Sequence, residues 1–545
     1  MNDCETDVLI IGGGPVGLAA AIELGARGVR VMVAERNART GAAPRAKTTN
    51  VRTRTHLRRW GIADRLAAAS PLGVDYPADV RFVTALSGHP LAHFTNMGNM
   101  SPERSPYYPE HGQWVPQYTL EKIMLEHART LPGVAVAFDT SFVSATQDAD
   151  AVTVTLRDGA GGERTVTARY LIGADGARSA VREAIGAKLE GRYGLSRHYN
   201  IVFRAPGLAE AHRHGPANMY WQVSPRGLTV TGPMDADDIW YIGTGAVKEG
   251  ETLSDDDAIA LIRRSTGIDL PYEVLSTDLW VASEFLADKY QQGRILLAGD
   301  ACHLHPPFGG YGMNLGVGDG VDLGWKIAAT LQGWGGPALV ESYEAERRPI
   351  ARAVIDEALA NYAIAGGPPA WPAELEEDTP AGAAVRAKVG GGIQASKGRE
   401  FNTLGTVLGL CYTGSPVIAD ENTPLPAHDS ERYTPSGRPG CLAPHAWLAD
   451  GRSLYDLFGT GFSLVVAEGA DAGAVDAAAA QADEFGVPLT VVRPDGVDVA
   501  ELYGAPLALV RPDQHVAWRG GAWTGPLEQA TGFGATRSGA PALAA

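Results

Sequence analysis

The sequence predicts an α/β protein: a parallel-sheet domain, an antiparallel sheet inserted into it, and a smaller α/β domain at the C-terminal end. Three observations predict this. A strand, a Gly-x-Gly-x-x-Gly turn, a helix, a second strand and an acid open the chain. Strand-like segments separated by turns fill residues 190 to 290. The α/β alternation resumes after about residue 440.

The opening unit is the most ordered signal. Asp7 to Ile11 is a short apolar run rich in β-branched residues, the pattern of a buried parallel strand. Gly12-Gly13-Gly14-Pro15-Val16-Gly17 follows, then an Ala- and Leu-rich helix from Leu18 to Arg27, a stop at Gly28, and a strand from Val29 to Ala34 that ends on Glu35. Gly12 suits a tight turn, Gly14 lets backbone approach a pyrophosphate, and Gly17 lets helix and strand pack closely. Free N–H groups at the helix start face phosphates. Glu35 can accept both hydroxyls of an adenosine ribose. The spacing is the full Rossmann-like fingerprint, but it does not separate FAD from NAD.

At 545 residues, two or three domains are expected. Apolar content of 45% supports sizeable cores. A net charge of −17 without a basic run argues against nucleic acid and anionic membranes. No stretch is long enough to span a bilayer, and no basic leader precedes the first strand. Cys4, Cys302, Cys411 and Cys441 lie far apart without a Cys-x-x-Cys pair, so neither a disulfide framework nor a zinc site is expected. These features read as a soluble, cytoplasmic protein.

Beyond Glu35, Pro44 to Asn50 reads as a loop and Val51 to Trp60 as a helix. Arg45, Lys47, Arg52 and Arg54 form a dense cationic cluster. Arg45 is the favoured ligand residue, because it sits just past the carboxyl end of the second strand, where open α/β sheets bind ligands. Residues 74 to 116 read as short strands and loops. A helix from Tyr118 to Thr130 has Gln117 near its start. A hairpin turns at Asp158-Gly159. Tyr170 to Ala174 is a buried strand ending on Asp175-Gly176, with Arg178 and Arg182 placed to pair with phosphates. In the 190–290 sheet, Tyr193, Tyr220, Trp221, Trp240 and Tyr241 are candidate pocket lining, though most sheet aromatics are core.

A third stretch runs from Gly293 to Asn314. A buried strand ends on Gly299-Asp300, and Cys302, His303, His305, Pro306 and Pro307 follow. The loop Phe308 to Asn314 then leads into a helix reaching about Gln332. Asp300 suits a sugar-alcohol hydroxyl, the glycine loop can press against a flat ring, and the helix start offers N–H groups to an anion. Loop packing explains the two histidines better than a metal, since no further ligand set is suitably spaced. Ala338 to Ala365 is helical, and residues 366 to 400 read as linker or loose helical connection.

Taken together these stretches resemble the FAD-dependent aromatic hydroxylases, the flavoprotein monooxygenases of the p-hydroxybenzoate hydroxylase type. Gly12 to Gly17 with Glu35, Asp175-Gly176, and Gly299-Asp300 with Pro306-Pro307 stand in the family's order. Pro44-Arg45-Ala46 with Asn50, Val115-Pro116-Gln117 with Glu121, and the two histidines before Pro306 are most similar to the phenol and 2,4-dichlorophenol hydroxylase branch, whose relatives also tailor aromatic polyketides. Tyr433-x-Pro-Ser-x-Arg-Pro-Gly, Pro444-His445 and Arg511 to Arg519 resemble that branch's thioredoxin-like domain, here without Cys-x-x-Cys. One departure is Arg52-Thr53-Arg54-Thr55, where the branch has Arg-Thr-Met-Glu.

The resemblance implies a Rossmann-like FAD domain in two parts (1–190 and 291–400), a substrate sheet domain (191–290) and a thioredoxin-like domain (401–545). It implies FAD contacts at Gly12, Gly14, Pro15, Val16, Gly17, Glu35, Arg36, Arg45, Gln117, Asp175, Gly299, Asp300, Pro307, Gly310, Gly312, Met313 and Asn314, and no metal. The implied reaction uses NADPH or NADH transiently, adds O2 to give a flavin C4a-hydroperoxide, and hydroxylates a phenolic or polyketide ring. Baeyer–Villiger insertion or epoxidation of a polyketide is the alternative, and a flavin-binding sensor is the non-enzymatic one. Halogenation is disfavoured, since Trp-x-Trp-x-Ile-Pro is absent. No catalytic base is identified. Oligomeric state stays open, a homodimer included.

Overall fold

The computed structural model describes residues 5–38, 46–365 and 371–534. Its first strand, β1 (Thr6–Ile11), is buried on both faces, with Val8, Leu9 and Ile10 fully covered. Burying each such side chain contributes about 1.5–3 kcal/mol. Pro15 opens helix α1 (Pro15–Gly25), where its missing N–H costs nothing and its fixed φ suits the first turn. Strand β2 (Val31–Ala34) returns parallel to β1, Ile10 facing Val33. The sheet continues on one side with Val134–Ala137 and on the other with Glu163–Gly173 and Ile295–Leu297, all parallel. Thr140–Gln147 and Val152–Asp158 extend it as an antiparallel flap.

The second sheet has eight strands. Its order runs His303–Leu304, Glu273–Ala287, Leu189–Arg204, Ile239–Gly243, Gly227–Asp235, Met219–Ser224, Val80–Val83 and Pro90–Phe94. Two of its strands therefore come from residues 80–94, ahead of the 191–290 span. One pair, Met219–Ser224 with Val80–Val83, is parallel, and the others are antiparallel. Adjacent residues on a strand face opposite sides. Trp221 and Tyr241 share one face with Phe82 and Met234. Tyr220 and Trp240 turn to the other face, packed with Phe203 and Ile242. The candidate lining set is thus corrected: Tyr220 and Trp240 are core, and Tyr193 is 67% exposed.

Helix Gly312–Leu331 packs along α1. Gly316, Gly320 and Gly324, spaced by four, let it come close: a Cβ on Gly320 would lie 2.7 Å from the Val16 carbonyl oxygen, and one on Gly324 2.5 Å from Glu23 Cβ. This contact sets the start of the later helix beside the start of the earlier one. Of the two readings of residues 366 to 400, the helical one holds for Pro380–Ser396, a 17-residue helix capped by Thr379 and laid so tightly on Pro90–Phe94 that a Cβ on Gly390 would overlap the Leu91 carbonyl.

The C-terminal sheet runs Leu489–Val492, Phe462–Val466, Leu507–Val510 and Val516–Gly520. Its first two strands are parallel, joined through helix Ala472–Phe485, and the rest are antiparallel. Cys411 and Cys441 form a disulfide, Cα atoms 4.2 Å apart, which corrects the expectation of none. The physical reason is tertiary. Tyr412 N–H donates to the Gly440 carbonyl at 2.9 Å, drawing together two cysteines 30 residues apart in sequence. No helix among the described residues is long and apolar enough to cross a membrane.

Candidate active site

A single cavity of about 2010 Å³ runs from the β1–α1 turn to the antiparallel sheet. The three fingerprint glycines differ in what surrounds them. Gly12 has φ +111°, and a Cβ there would overlap the Ala174 carbonyl. A Cβ on Gly17 would overlap the Gly12 carbonyl, so Gly17 serves packing and does not line the cavity. A Cβ on Gly14 would meet nothing within 4 Å, and Gly14 lines the cavity. Its backbone is therefore bare toward a ligand, beside a helix start with no side-chain cap.

Glu35 sits at the carboxyl end of β2. Its Oε2 accepts from Gly13 N–H at 2.8 Å, and its Oε1 accepts from Asn37 N–H at 2.8 Å and Asn37 Nδ2 at 2.6 Å. A carboxylate offers about four acceptor sites, so roughly one remains, on Oε2, for a ribose hydroxyl. The expectation that it takes both hydroxyls is narrowed to one. Arg36 and Arg178 line the same end, with Pro15 and Val16. Arg182 does not. It is buried, donating to the Ala301 carbonyl at 3.1 Å and the Ala177 carbonyl at 3.0 Å. Asp175 lines the cavity while its carboxylate caps helix Ala180–Ala184, accepting from Ala180 N–H at 2.8 Å. Arg45 lies outside the described residues.

At the centre, Asp300, Pro307, Gly310, Gly312 and Met313 line the cavity, and helix Gly312–Leu331 begins there without a side-chain cap. Gly299 and Asn314 do not line it. Gly299, with φ +63°, packs on Val16 and donates its N–H to Asp319 Oδ2 at 3.0 Å. Asn314 is a staple: its Oδ1 accepts from Asn50 N–H at 3.0 Å, and its Nδ2 donates to the carbonyls of Thr48 and Gly310. Gln117 lines the cavity and holds the same loop, its Oε1 accepting from Ala46 N–H at 3.1 Å.

Two groups of residues escaped the sequence reading. Buried Asp319 braces the Gly299-Asp300 turn, accepting from His303 Nε2 at 2.8 Å and Arg347 Nε at 2.7 Å. Asp319, Asp322 and Lys326 in an otherwise apolar helix were the available signal. The other group is Trp114, Trp371 and Phe401, which join the expected lining residues Trp221 and Tyr241 and the loop residue Phe308 in walling the far chamber. Of the cationic cluster, Arg52 hydrogen-bonds Gln514 and the Asp513 carbonyl, and Arg54 pairs with Glu110 at 2.8 Å. Lys47 is the described member that faces the cavity. Arg54 and Thr55, which depart from the branch motif, are buried away from it.

These features define a dinucleotide-binding α/β protein whose ligand cleft opens into an aromatic-walled chamber. The family is shown by comparison. Residues 5–358 match the FAD binding domain family and residues 436–536 the C-terminal domain of aromatic-ring hydroxylases. The chain belongs to the FAD-dependent aromatic-ring hydroxylases. It is 34% identical to aklavinone 12-hydroxylase DnrF of Streptomyces peucetius over 85% of this chain and 91% of that one. It is 32% identical to 2,4-dichlorophenol 6-monooxygenase of Delftia acidovorans over 95% of each. The rebeccamycin biosynthetic enzyme RebC, solved with reduced flavin, superposes with a TM-score of 0.88 at 34% identity, covering 97% of this chain and 99% of RebC. The chain is thus an enzyme whose cofactor is FAD. The site fits that group: bare backbone at Gly14, a carboxylate for ribose, and two uncapped helix starts at Pro15 and Gly312.

Proposed function

We propose that this enzyme hydroxylates a fused-ring aromatic, of the polyketide kind, using NADPH or NADH and O2. The carrying observation is the volume and continuity of the cavity. Sites for one drug-sized ligand hold about 300–1,000 Å³, and this cavity measures about 2010 Å³. A chamber lined by Trp114, Trp221, Tyr241, Phe308 and Trp371 is wide enough for several flat rings beside the cofactor. A single phenol would leave much of it wet.

In this reading Gly12 to Val16 and Glu35 hold the dinucleotide end, with Arg36, Gln117, Asp175 and Asp300 along its path. Gly312 and Met313, at the uncapped helix start, would present N–H groups where negative charge gathers. The aromatic wall suits chemistry that must exclude water. FAD, when bound, supplies electron transfer from the nicotinamide and delivery of one oxygen atom. The C-terminal sheet, a parallel pair through a helix followed by an antiparallel pair, supports a thioredoxin-like assignment with a structural role, since Cys-x-x-Cys is absent. A cytoplasmic location belongs to this proposal through its need for NADPH or NADH; cysteine usage no longer supports it.

The test is aerobic NADPH oxidation by the FAD-loaded protein against a panel of phenols and hydroxylated polycyclic aromatics, with product masses read. The expected outcome is stimulation by a polycyclic compound that gains one ring oxygen. Stimulation by simple phenols alone would overturn the substrate class, and no oxidation with any compound would count against the activity.

A further inference from the structure

We propose that Lys47 is a positioning residue that holds the substrate's hydroxyl oxygen in its ionised form. This rests on the aromatic-substrate reading above and deepens it. Lys47 precedes the short strand Thr48–Thr49, which pairs with Gln113–Trp114. Its backbone is pinned on both sides. Its carbonyl accepts from Val115 N–H at 2.8 Å, and the preceding Ala46 N–H is held by Gln117 Oε1 at 3.1 Å. The side chain lines the cavity with its Nζ 4.0 Å from the centroid of the Tyr241 ring. Trp114 packs beside that ring, centroids 6.1 Å apart. The amine is therefore set on the sheet that walls the far chamber, not on the Gly12–Gly17 turn.

The other described members of the basic cluster, Arg52 and Arg54, are engaged, as is Lys397 elsewhere on the chamber wall. Arg52 binds Gln514 and the Asp513 carbonyl, Arg54 pairs with Glu110, and Lys397, over the ring of Trp221, pairs with Glu400 at 2.6 Å. Lys47 has no carboxylate or carbonyl partner for its Nζ among the described residues; its one contact there is the Tyr241 face. On the Gln117–Ala128 helix, Glu121 accepts from Gln117 Nε2 at 2.7 Å. Burial alone brings the Lys47 pKa down to about 8, and no neighbouring charge acts on it. An ammonium set on an aromatic face without a counter-ion favours an anion that completes the pair. An ionised aromatic hydroxyl is that anion, and it is also the form in which the ring is most electron-rich. On binding, the hydroxyl O–H breaks, its proton passes to solvent, and the oxygen's charge is paired with the Lys47 ammonium.

The test uses a hydroxyanthraquinone dye whose colour changes on ionisation, titrated with pH on the FAD-loaded wild type, Lys47→Met and Lys47→Arg. Wild type is expected to lower the pKa of the bound dye's hydroxyl by about one to three units. Lys47→Met should abolish the shift and Lys47→Arg restore most of it. FAD affinity, read by flavin fluorescence without dye, should be the same in all three. Methionine removes the unpaired charge at a half-buried position and is only one atom shorter than lysine, so the fold is expected to hold, and arginine keeps the charge as a second check. A dye that binds wild type in its neutral form overturns the proposal while leaving the substrate reading intact. So does a shift that survives in Lys47→Met, or loss of FAD in that variant. A wild type that neither binds the dye nor oxidises NADPH with any aromatic brings down the reading, and the proposal with it.

Discussion

Arg511 and Glu346 meet as a two-point ion pair, Nη1 2.7 Å from Oε1 and Nη2 2.9 Å from Oε2, with both side chains fully buried between the C-terminal domain and helix Pro337–Ala365. Lys326 joins Glu346 at 2.7 Å, and Asp322 and Asp513 join Arg511 at 3.0 and 2.7 Å. Burial pushes the Glu346 carboxyl up, but Arg511 and Lys326 outweigh it and hold it at about 2. Burial raises Asp322 to about 7. Removing one partner of such a pair leaves uncompensated charge, which costs about 3–5 kcal/mol. Arg511→Met is expected to lose stability on that scale in urea denaturation. A loss under about 1 kcal/mol would mean the carboxylates are neutralised by protonation instead.

The fingerprint glycines should separate packing from binding. Gly17→Ala drives a methyl into the Gly12 carbonyl and against Ile10 Cγ2, 3.2 Å from the new atom. Overpacking of this kind costs about 1–3 kcal/mol, and it should show in the thermal midpoint with or without FAD. Gly14→Ala meets no protein atom within 4 Å. Its apo-protein should melt as wild type does, while FAD affinity falls about tenfold or more, or about 1.4 kcal/mol, by fluorescence titration. Equal effects from the two variants would refute this division of roles.

The disulfide carries its own prediction. Cys411 and Cys441 close a loop across a sequence separation of 30. Loop-closure entropy for that length corresponds to about 3–4 kcal/mol. Peptide mapping without reductant should recover the cross-linked pair, and reduction or Cys411→Ser should lower stability by up to that amount. Recovery of both cysteines as free thiols would remove the bond from the structure.

How much of this was legible depended on whether the signal was local. The strand, turn, helix, strand and acid from Asp7 to Glu35 were legible because they are contiguous in sequence, whereas the claims of Gly13 and Asn37 on the Glu35 carboxylate were not. Trp221 against Tyr220, and Tyr241 against Trp240, could not be sorted by composition, because neighbours on a strand face opposite sides and only the sheet's position decides which side is the cavity. Arg52, Arg54 and Lys47 look alike in a cationic run. Glu110, near in space but 56 residues from Arg54, and Gln514, 462 residues from Arg52, claim two of them and leave Lys47 to the cavity. Asp319 and Arg347 are likewise defined by each other, across two helices. The Cys411–Cys441 pairing was hidden for the same reason.

Acid should destabilise the protein above the pH range where ordinary carboxylates titrate. His445 is buried, its Nδ1–H donating to the Pro106 carbonyl at 3.1 Å and its Nε2 accepting from the Ser453 hydroxyl at 3.0 Å. Burial lowers its pKa from 6.5 to about 4, and does the same to His305 and His212. A histidine whose folded pKa lies below its unfolded value binds fewer protons in the native state between those two pH values. Its contribution is therefore fully present above about pH 6.5 and is lost as pH falls toward 4. For His445 alone the loss by pH 4 is on the order of 3 kcal/mol. Denaturation curves taken from pH 7 to 4 should show falling stability in wild type. His445→Gln, which keeps an amide donor and acceptor near Pro106 and Ser453 without a titrating ring, should start less stable at pH 7 and fall less steeply. Parallel slopes for the two proteins would show that His445 is already charged in the folded state.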